Sequence, residues 1–508
     1  MGRRTIALAV GTLALLITTG TAEAATRCPT AVDAASFAST AQLRQMNAYE
    51  GSLGARPTGS PAQARFVDWL ERQMQAIPGV RTRSLPYTVQ RWDATKVTLS
   101  ADGRDIPIAS VVPYAQPTPA GGVTAPVVVI PADREITAAE AAGRIVVRDW
   151  QPGSVPYSVF DRGVLGVGGT FDASGDYTRD FLQSVVPDLE AAAAAGAAGL
   201  VVVRDVPRDQ ADFLAPYEGL QWGVPAVYLG SGEGAAIKAA TTATLTVQAT
   251  RTPARTRTLV ATLPGRSSQR LVVESHTDGA NALWDNGPIA MVAMARALAR
   301  MPKACRPRTV EFSFVTGHLY QRLVSHDVRD GGAEQRAAAL DREYDQGKVA
   351  GVLVLEHLGA LEYGLKDGRL ARTGRKELML VPVSESDQLR AAVLRQITRH
   401  RLEQMAVIIG ADAPEPGRVP EHCSFGGEGT PYNHHLLPVV SPIAAPRGLF
   451  SPSFGMEAID VPYMRRQAIA FTDLLLDMSR MSRADIAGRV TQERAQRKAG
   501  APGCVDEA

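Results

Sequence analysis

Leu271–Gly287 reads LVVESHTDGANALWDNG. An apolar run ends in Glu274-Ser275-His276-Thr277-Asp278, a short turn delivers Asp285-Asn286-Gly287, and Pro288–Arg300 continues at helical spacing. A buried strand that stops at polar side chains places them at the carboxyl edge of a sheet, where open α/β folds build their sites. An ordinary strand–turn–helix with solvated loop residues has the same outline. His-x-Asp followed by Asp-Asn favours a site, because these are concentrated metal-ligand types.

Three further regions repeat the pattern. Thr309–Val315 is an apolar strand followed by Thr316-Gly317-His318; Val349–Leu355 runs into Glu356-His357; Gly427-Glu428-Gly429 and His434-His435 precede the strand Leu437–Pro442. Five of the 8 histidines thus sit at or near strand ends, and a metal site accounts for that economically. His357 directly follows Glu356, so on an extended chain it points to the opposite face and reads as packed rather than ligating. His434 and His435 read as surface residues, and His326, His400 and His422 carry no pattern.

Alternating buried strands and helices predict an α/β fold with a largely parallel sheet. Helical periodicity is clear over Pro288–Arg300, Ser386–Gln404 and Tyr463–Met478. Near the start, Gly54–Pro61 (GARPTGSP) is a turn-rich helix entry, with Ser60 as cap, Pro61 at the first position and Gln63 at capping-box spacing. The residues point to no chemistry there. Leu259–Leu263 and Arg270–Ser275, joined by Pro264-Gly265, read as paired strands. Between the two parts, Pro117–Gly122 is linker-like, and GRIVVRD, an alanine-rich helix ending in GAAGLVVV, and GVPAVYL follow in order. Together these resemble a protease-associated domain, a small α/β module that shapes substrate access in secreted and membrane-attached peptidases. The expected organisation is residues 1–24 as a signal peptide, 30–112 and 253–481 as one discontinuous domain, 113–252 as the insert, and 482–508 as a charged tail that is a solvated helix or frayed end.

Lys and Arg (54) nearly cancel Asp and Glu (52), so the charge does not point to nucleic acid. Arg3-Arg4, the apolar run Ile6–Ile17 and Ala22-Glu23-Ala24 make an export signal cleaved after Ala24. No later stretch approaches the ~20 apolar residues of a membrane span. The chain is therefore expected outside the cell, where Cys28, Cys305, Cys423 and Cys504 can form two disulfides. Cys28 with Cys504, and Cys305 with Cys423, is the expected pairing.

The order of signal peptide, GARPTGSP, protease-associated insert, HTD…DNG and two further apolar strands resembles the secreted zinc aminopeptidases. This family includes bacterial leucyl aminopeptidases and, more distantly, glutamate carboxypeptidases. The resemblance covers essentially the whole mature chain. It implies a three-layer α/β/α, phosphorylase-like hydrolase fold and two zinc ions bridged by an aspartate. A glutamate base then activates water for attack on a peptide or small amide. Carried over by position, His276 is the first zinc ligand, Asp278 its orienting acid and Asp285 the bridging aspartate. Glu356, in LEHLG, stands where the family has an aspartate ligand in a D-M-x-G run.

Two features depart from the family. Its Glu-Glu pair after the second strand is replaced by Thr316-Gly317-His318, and its last histidine ligand has no counterpart in Gly448–Pro452. His318 can replace the lost glutamate ligand, with Glu428 or Glu356 as the base. The expected site is therefore a non-standard one, with His276, Asp285, His318 and Glu356 holding one or two zinc ions. Glu428 and Asp278 complete the catalytic set. The rival reading is an inactive descendant that binds peptide or a single metal. A Gly-x-Ser-x-Gly elbow and a Rossmann fingerprint are both missing, which argues against serine hydrolysis and dinucleotide binding.

Overall fold

Residues 1–2, 28–162, 166–168, 170–325, 328–409 and 425–503 are described in the computed structural model. The expected export signal, Cys423, Cys504, His326 and His422 lie outside them.

The first helices are α1 (Thr40–Gly51) and α2 (Pro61–Gln75). Ser60 caps α2 as its sequence predicts, accepting from the Gln63 amide at 3.1 Å. The Gln63 side chain accepts from the Gly59 amide (2.7 Å) and donates to Thr277 and Thr316, so the helix entry is tied to two strand ends. A long strand, β1 (Arg81–Ala101), leads to the inserted segment, which contributes β2 (Val123–Val129), β3 (Ile145–Trp150), β4 (Gly199–Arg204) and β5 (Ala226–Leu229). These four are mutually parallel in the order β2-β3-β4-β5.

The chain returns through β6 (Thr242–Leu263), which runs antiparallel to β1 along nearly its whole length. One end of β6 pairs with β2; the other pairs with β8 (Arg308–Val315) after β7 (Ser267–His276) and α3 (Gly287–Ala299) have intervened. A single 22-residue strand thus joins the two sheets, and Thr252 lies in its interior. Further along come α4 (Gly332–Asp345), β9 (Val349–Val354), β10 (Met379–Val383), α5 (Asp387–Arg399), β11 (Met405–Ile409), α6 (Gly429–His434), β12 (Val439–Val440), α7 (Val461–Arg480) and α8 (Val490–Lys498), among shorter elements.

The main sheet runs β6-β8-β7-β9-β12-β10-β11. Strands β8, β7, β9 and β12 are parallel, and β6 and β10 join antiparallel. Its central strands are buried along most of their length, as a sheet covered on both faces requires. Leu271 and Val273 pack with α3 and α7 on one face, while Val272 packs with Leu340 and Tyr344 of α4 and Tyr432 of α6 on the other. The mostly parallel α/β architecture is the expected one.

Two expectations are corrected. The Pro264-Gly265 turn does not make a hairpin, because β8 lies between β6 and β7 and pairs with both. A parallel crossover from β7 through α3 delivers β8 to that position, which local turn chemistry does not encode. The disulfide is Cys28–Cys305, with Cα atoms 5.1 Å apart, so neither expected pairing of these two cysteines holds. Arg480 donates to the carbonyls of Pro29 and Thr30, and Asp473 accepts from Val32, so the irregular segment that begins at Cys28 is held against α7. The charged tail forms α8, whose Arg494 is buried and bonds Asp341, Asp345 and the carbonyls of His435 and Leu436.

Candidate metal centre

The parallel strands end together, and their first loop residues converge. His276 closes β7 at 0% exposure. Its Nδ1 lies 2.9 Å from the carbonyl oxygen of Asp278. A carbonyl only accepts, so Nδ1 carries the proton and the Nε2 lone pair faces the site, where no hydrogen-bond partner meets it.

His357 repeats that arrangement from the end of β9. Its Nδ1 donates to the carbonyl of Ala444, and its buried Nε2 has no partner. Burial pushes this imidazole down to about 4, so it is neutral at pH 7. The expectation that His357 faces away fails for a definite reason. Its φ is +56°, a left-handed conformation, so the alternation of an extended strand does not apply to it.

Glu356 lies between the two imidazoles. Its Oε1 accepts from the Glu428 amide (2.9 Å), and its Oε2 is unpartnered, 3.6 Å from His276 Nε2 and 3.9 Å from His357 Nε2. Burial would raise its pKa, but the neighbouring His276, His357 and His318 hold it below the usual carboxylate value. The three donor atoms lie within 4.8 Å of one another. Tetrahedral zinc, with bonds of about 2.0–2.2 Å, asks for donor separations of about 3.3–3.6 Å. Two imidazoles fixed by backbone carbonyls, plus a carboxylate with one free oxygen, fit such an ion.

The other expected site residues are placed differently. Asp285 is fully buried and receives Arg56 on both oxygens, Nε at 2.8 Å and Nη2 closer. Arg56 comes from GARPTGSP, a stretch whose residues suggested no chemistry. It also contacts Glu50 Oε1 (3.1 Å) and the Asn281 carbonyl (2.8 Å). Burial and the Asp285 charge hold the Glu50 carboxyl well above its ordinary value, against the pull of the Arg56 guanidinium. Asp278 meets His276 through its main-chain carbonyl rather than its carboxylate. Oδ2 accepts from the amides of Gly317, His318 and Leu319 (3.1, 2.8 and 3.0 Å) and from the Thr58 hydroxyl, which fixes the loop after β8.

His318, on that loop, stacks on His276 with ring centroids 4.1 Å apart. Trp284 Nε1–H donates to its Nε2 (3.3 Å), so Nδ1 carries the proton and donates to Glu428. Both nitrogens of His318 are therefore engaged. Glu428 Oε2 has no partner. Burial, with the nearby Glu356 and Asp278 charges, pushes the Glu428 carboxyl up to about 8. Gly427 has φ +51°, and a Cβ there would overlap the Glu356 carboxylate, so only glycine lets this loop lie so close. Beneath it, Glu274 shares the His276 face of β7 two residues earlier. Burial and the Glu428 charge hold its carboxyl well above the ordinary value.

Aromatic side chains cover the site. Tyr217, from the inserted segment, stacks on His318 at 5.4 Å and on Phe450 at 5.8 Å, and Phe450 packs edge-on to Trp284 at 4.9 Å. The Gly448–Pro452 loop thus brings an aromatic ring to the site where the resemblance implies a histidine. Sequence reading missed Arg56, Glu274, His357 and Tyr217 as site residues. For His357 the only local signal was its adjacency to Glu356; for Arg56 it was the GARPTGSP stretch itself.

No family model matches the chain, and no curated protein does. Solved structures do match. The zinc aminopeptidase of Bacillus subtilis aligns at 15% identity over 89% of this chain and 98% of its own, with a TM-score of 0.62. The chain shares this fold. A peptidase M28 precursor from Shewanella amazonensis SB2B aligns at 16% identity over 87% and 96%, with a TM-score of 0.59. An aminopeptidase from Aneurinibacillus sp. strain AM-1 aligns at 15% over 86% and 93%, at 0.54.

Proposed function

We propose that this chain is a secreted, zinc-dependent exopeptidase of the aminopeptidase type, acting on peptides or small amides at a non-standard metal site. The observation that carries this reading is the group of buried, unshared donor atoms on His276, Glu356 and its neighbours at the carboxyl edge of a zinc-aminopeptidase fold. His276 and Glu356 hold the ion. When bound, zinc supplies a Lewis acid for the scissile carbonyl. Glu428 moves the proton: His318 holds its Oε1, and its Oε2, which has no hydrogen-bond partner, takes a proton from water and returns it to the leaving amine. Trp284 and Phe450 exclude water, and Tyr217 brings the insert, read as a protease-associated module, to the rim of the site. The Cys28–Cys305 disulfide fits an oxidising compartment, and no helix among the described residues is long and apolar enough to cross a membrane.

The test is release of amine from leucine p-nitroanilide and amino-acid amides by zinc-loaded protein. Glu428→Gln is expected to lower kcat/KM by roughly 10²–10⁴-fold while leaving the fold intact. Loaded wild type that hydrolyses nothing at high concentration overturns the reading. That outcome would favour a metal- or peptide-binding descendant, a reading supported by the engagement of Asp285 and His318 with protein partners.

A further inference from the structure

We infer that the centre takes one divalent cation, bound by His276 Nε2, His357 Nε2 and Glu356 Oε2, and that the Arg56 guanidinium supplies at Asp285 the positive charge of a second ion. The inference deepens the zinc-hydrolase reading and rests on it for the identity of the metal.

Three observations lead to a single ion. Each histidine of the trio has its Nδ1 committed to a main-chain carbonyl, so its tautomer is fixed with the lone pair on Nε2. Glu356 is held the same way, one oxygen on the Glu428 amide and the other unshared. The three residues are at most 2% exposed, and a buried polar atom without a partner is costly unless something binds there.

Asp285 already faces a cation of the protein's own. Both of its oxygens are taken by Arg56, whose side chain is 0% exposed, and the neighbouring Glu50 is itself held by the same guanidinium. A cation bridged through Asp285 would face a buried guanidinium at contact distance, a repulsion that low-dielectric surroundings do not screen. His318, the other candidate ligand, lies flat on His276, with Trp284 on its Nε2 and Glu428 on its Nδ1. It orients Glu428 rather than coordinating. His357 does coordinate, and its left-handed backbone is what turns it inward.

The apoprotein is equilibrated with excess zinc, desalted, and its zinc per chain counted by plasma mass spectrometry. Wild type is expected to retain about one equivalent. His276→Ala, His357→Ala and the milder His357→Gln are expected to lose it, while His318→Ala and Asp285→Asn retain it. Circular dichroism melts separate metal loss from misfolding, and anomalous scattering at the zinc edge from wild-type crystals places the ion without any variant. Two equivalents, an anomalous peak beside Asp285, full retention by His357→Ala or no retained zinc each overturn the inference. Activity is scored separately. One equivalent without hydrolysis removes the enzyme reading and leaves the site standing, whereas hydrolysis with two equivalents does the reverse.

Discussion

Arg56 and Asp285 form a pair with no route to water, which makes each hostage to the other. A buried ion pair adds little net stability over an apolar pair, but removing one partner strands a charge in low dielectric and costs about 3–5 kcal/mol. Arg56→Met should therefore lower the unfolding free energy by about that much in urea titration, and a double variant with Asp285→Leu should recover most of the loss. A small effect of the single variant would mean that the stranded Asp285 carboxylate is neutralised by taking up a proton. The same pair sets the limits of the metal site. With Asp285 spent on a guanidinium, cation binding falls to side chains whose lone pairs stay unshared: His276, Glu356 and His357.

These side chains reach one point because of how the elements end. Strands β7, β8 and β9 are parallel neighbours, so their last residues emerge on one edge, and the loops after them supply His276, His318 and Glu356-His357 in turn. Helix α2 braces that edge. Ser60 caps it, and Gln63 in its first turn bridges Thr277 and Thr316 at the ends of β7 and β8. Replacing Ser60 with Ala removes the acceptor for the Gln63 amide and should cost about 1 kcal/mol. Thermal melts would show it, and an unchanged melting temperature would mean that water caps the helix equally well. The capped entry of α2 and the periodic apolar positions of α7 were readable from sequence. The bridge made by Gln63 was not, since a capping-box glutamine is expected to look back to its own helix end.

The C-terminal helix is part of the domain rather than an appendage. Asp341 on α4 accepts from Arg494 and Arg497 on α8 and faces His435, which ends α6. Burial alone would raise the Asp341 pKa, but these hydrogen bonds prevail and hold it below the ordinary aspartate value. Because the folded value is depressed, the contribution to stability is complete above the unfolded value of about 3.9 and is lost as pH falls through the folded one. Asp341→Asn should therefore be less stable than wild type at neutral pH, with the gap closing as acid protonates wild type. Unfolding midpoints at several pH values would read this out, and a gap independent of pH would assign the effect to packing.

Sequence alone determined the alternation of buried strands and helices, the carboxyl edge as the place for chemistry, and the concentration of ligand-type residues there. Those features are written locally, as apolar period and as strands that stop at polar residues. What tertiary structure decided was non-local or conformational. The union of Arg56 with Asp285 spans 229 positions, and nothing local names either residue as the other's partner. The Cys28–Cys305 bond follows from where α7 holds the irregular segment after Cys28, not from cysteine order. His357 was assigned the wrong face because strand alternation assumes an extended backbone, and a left-handed residue at the strand's end breaks that assumption at the site itself.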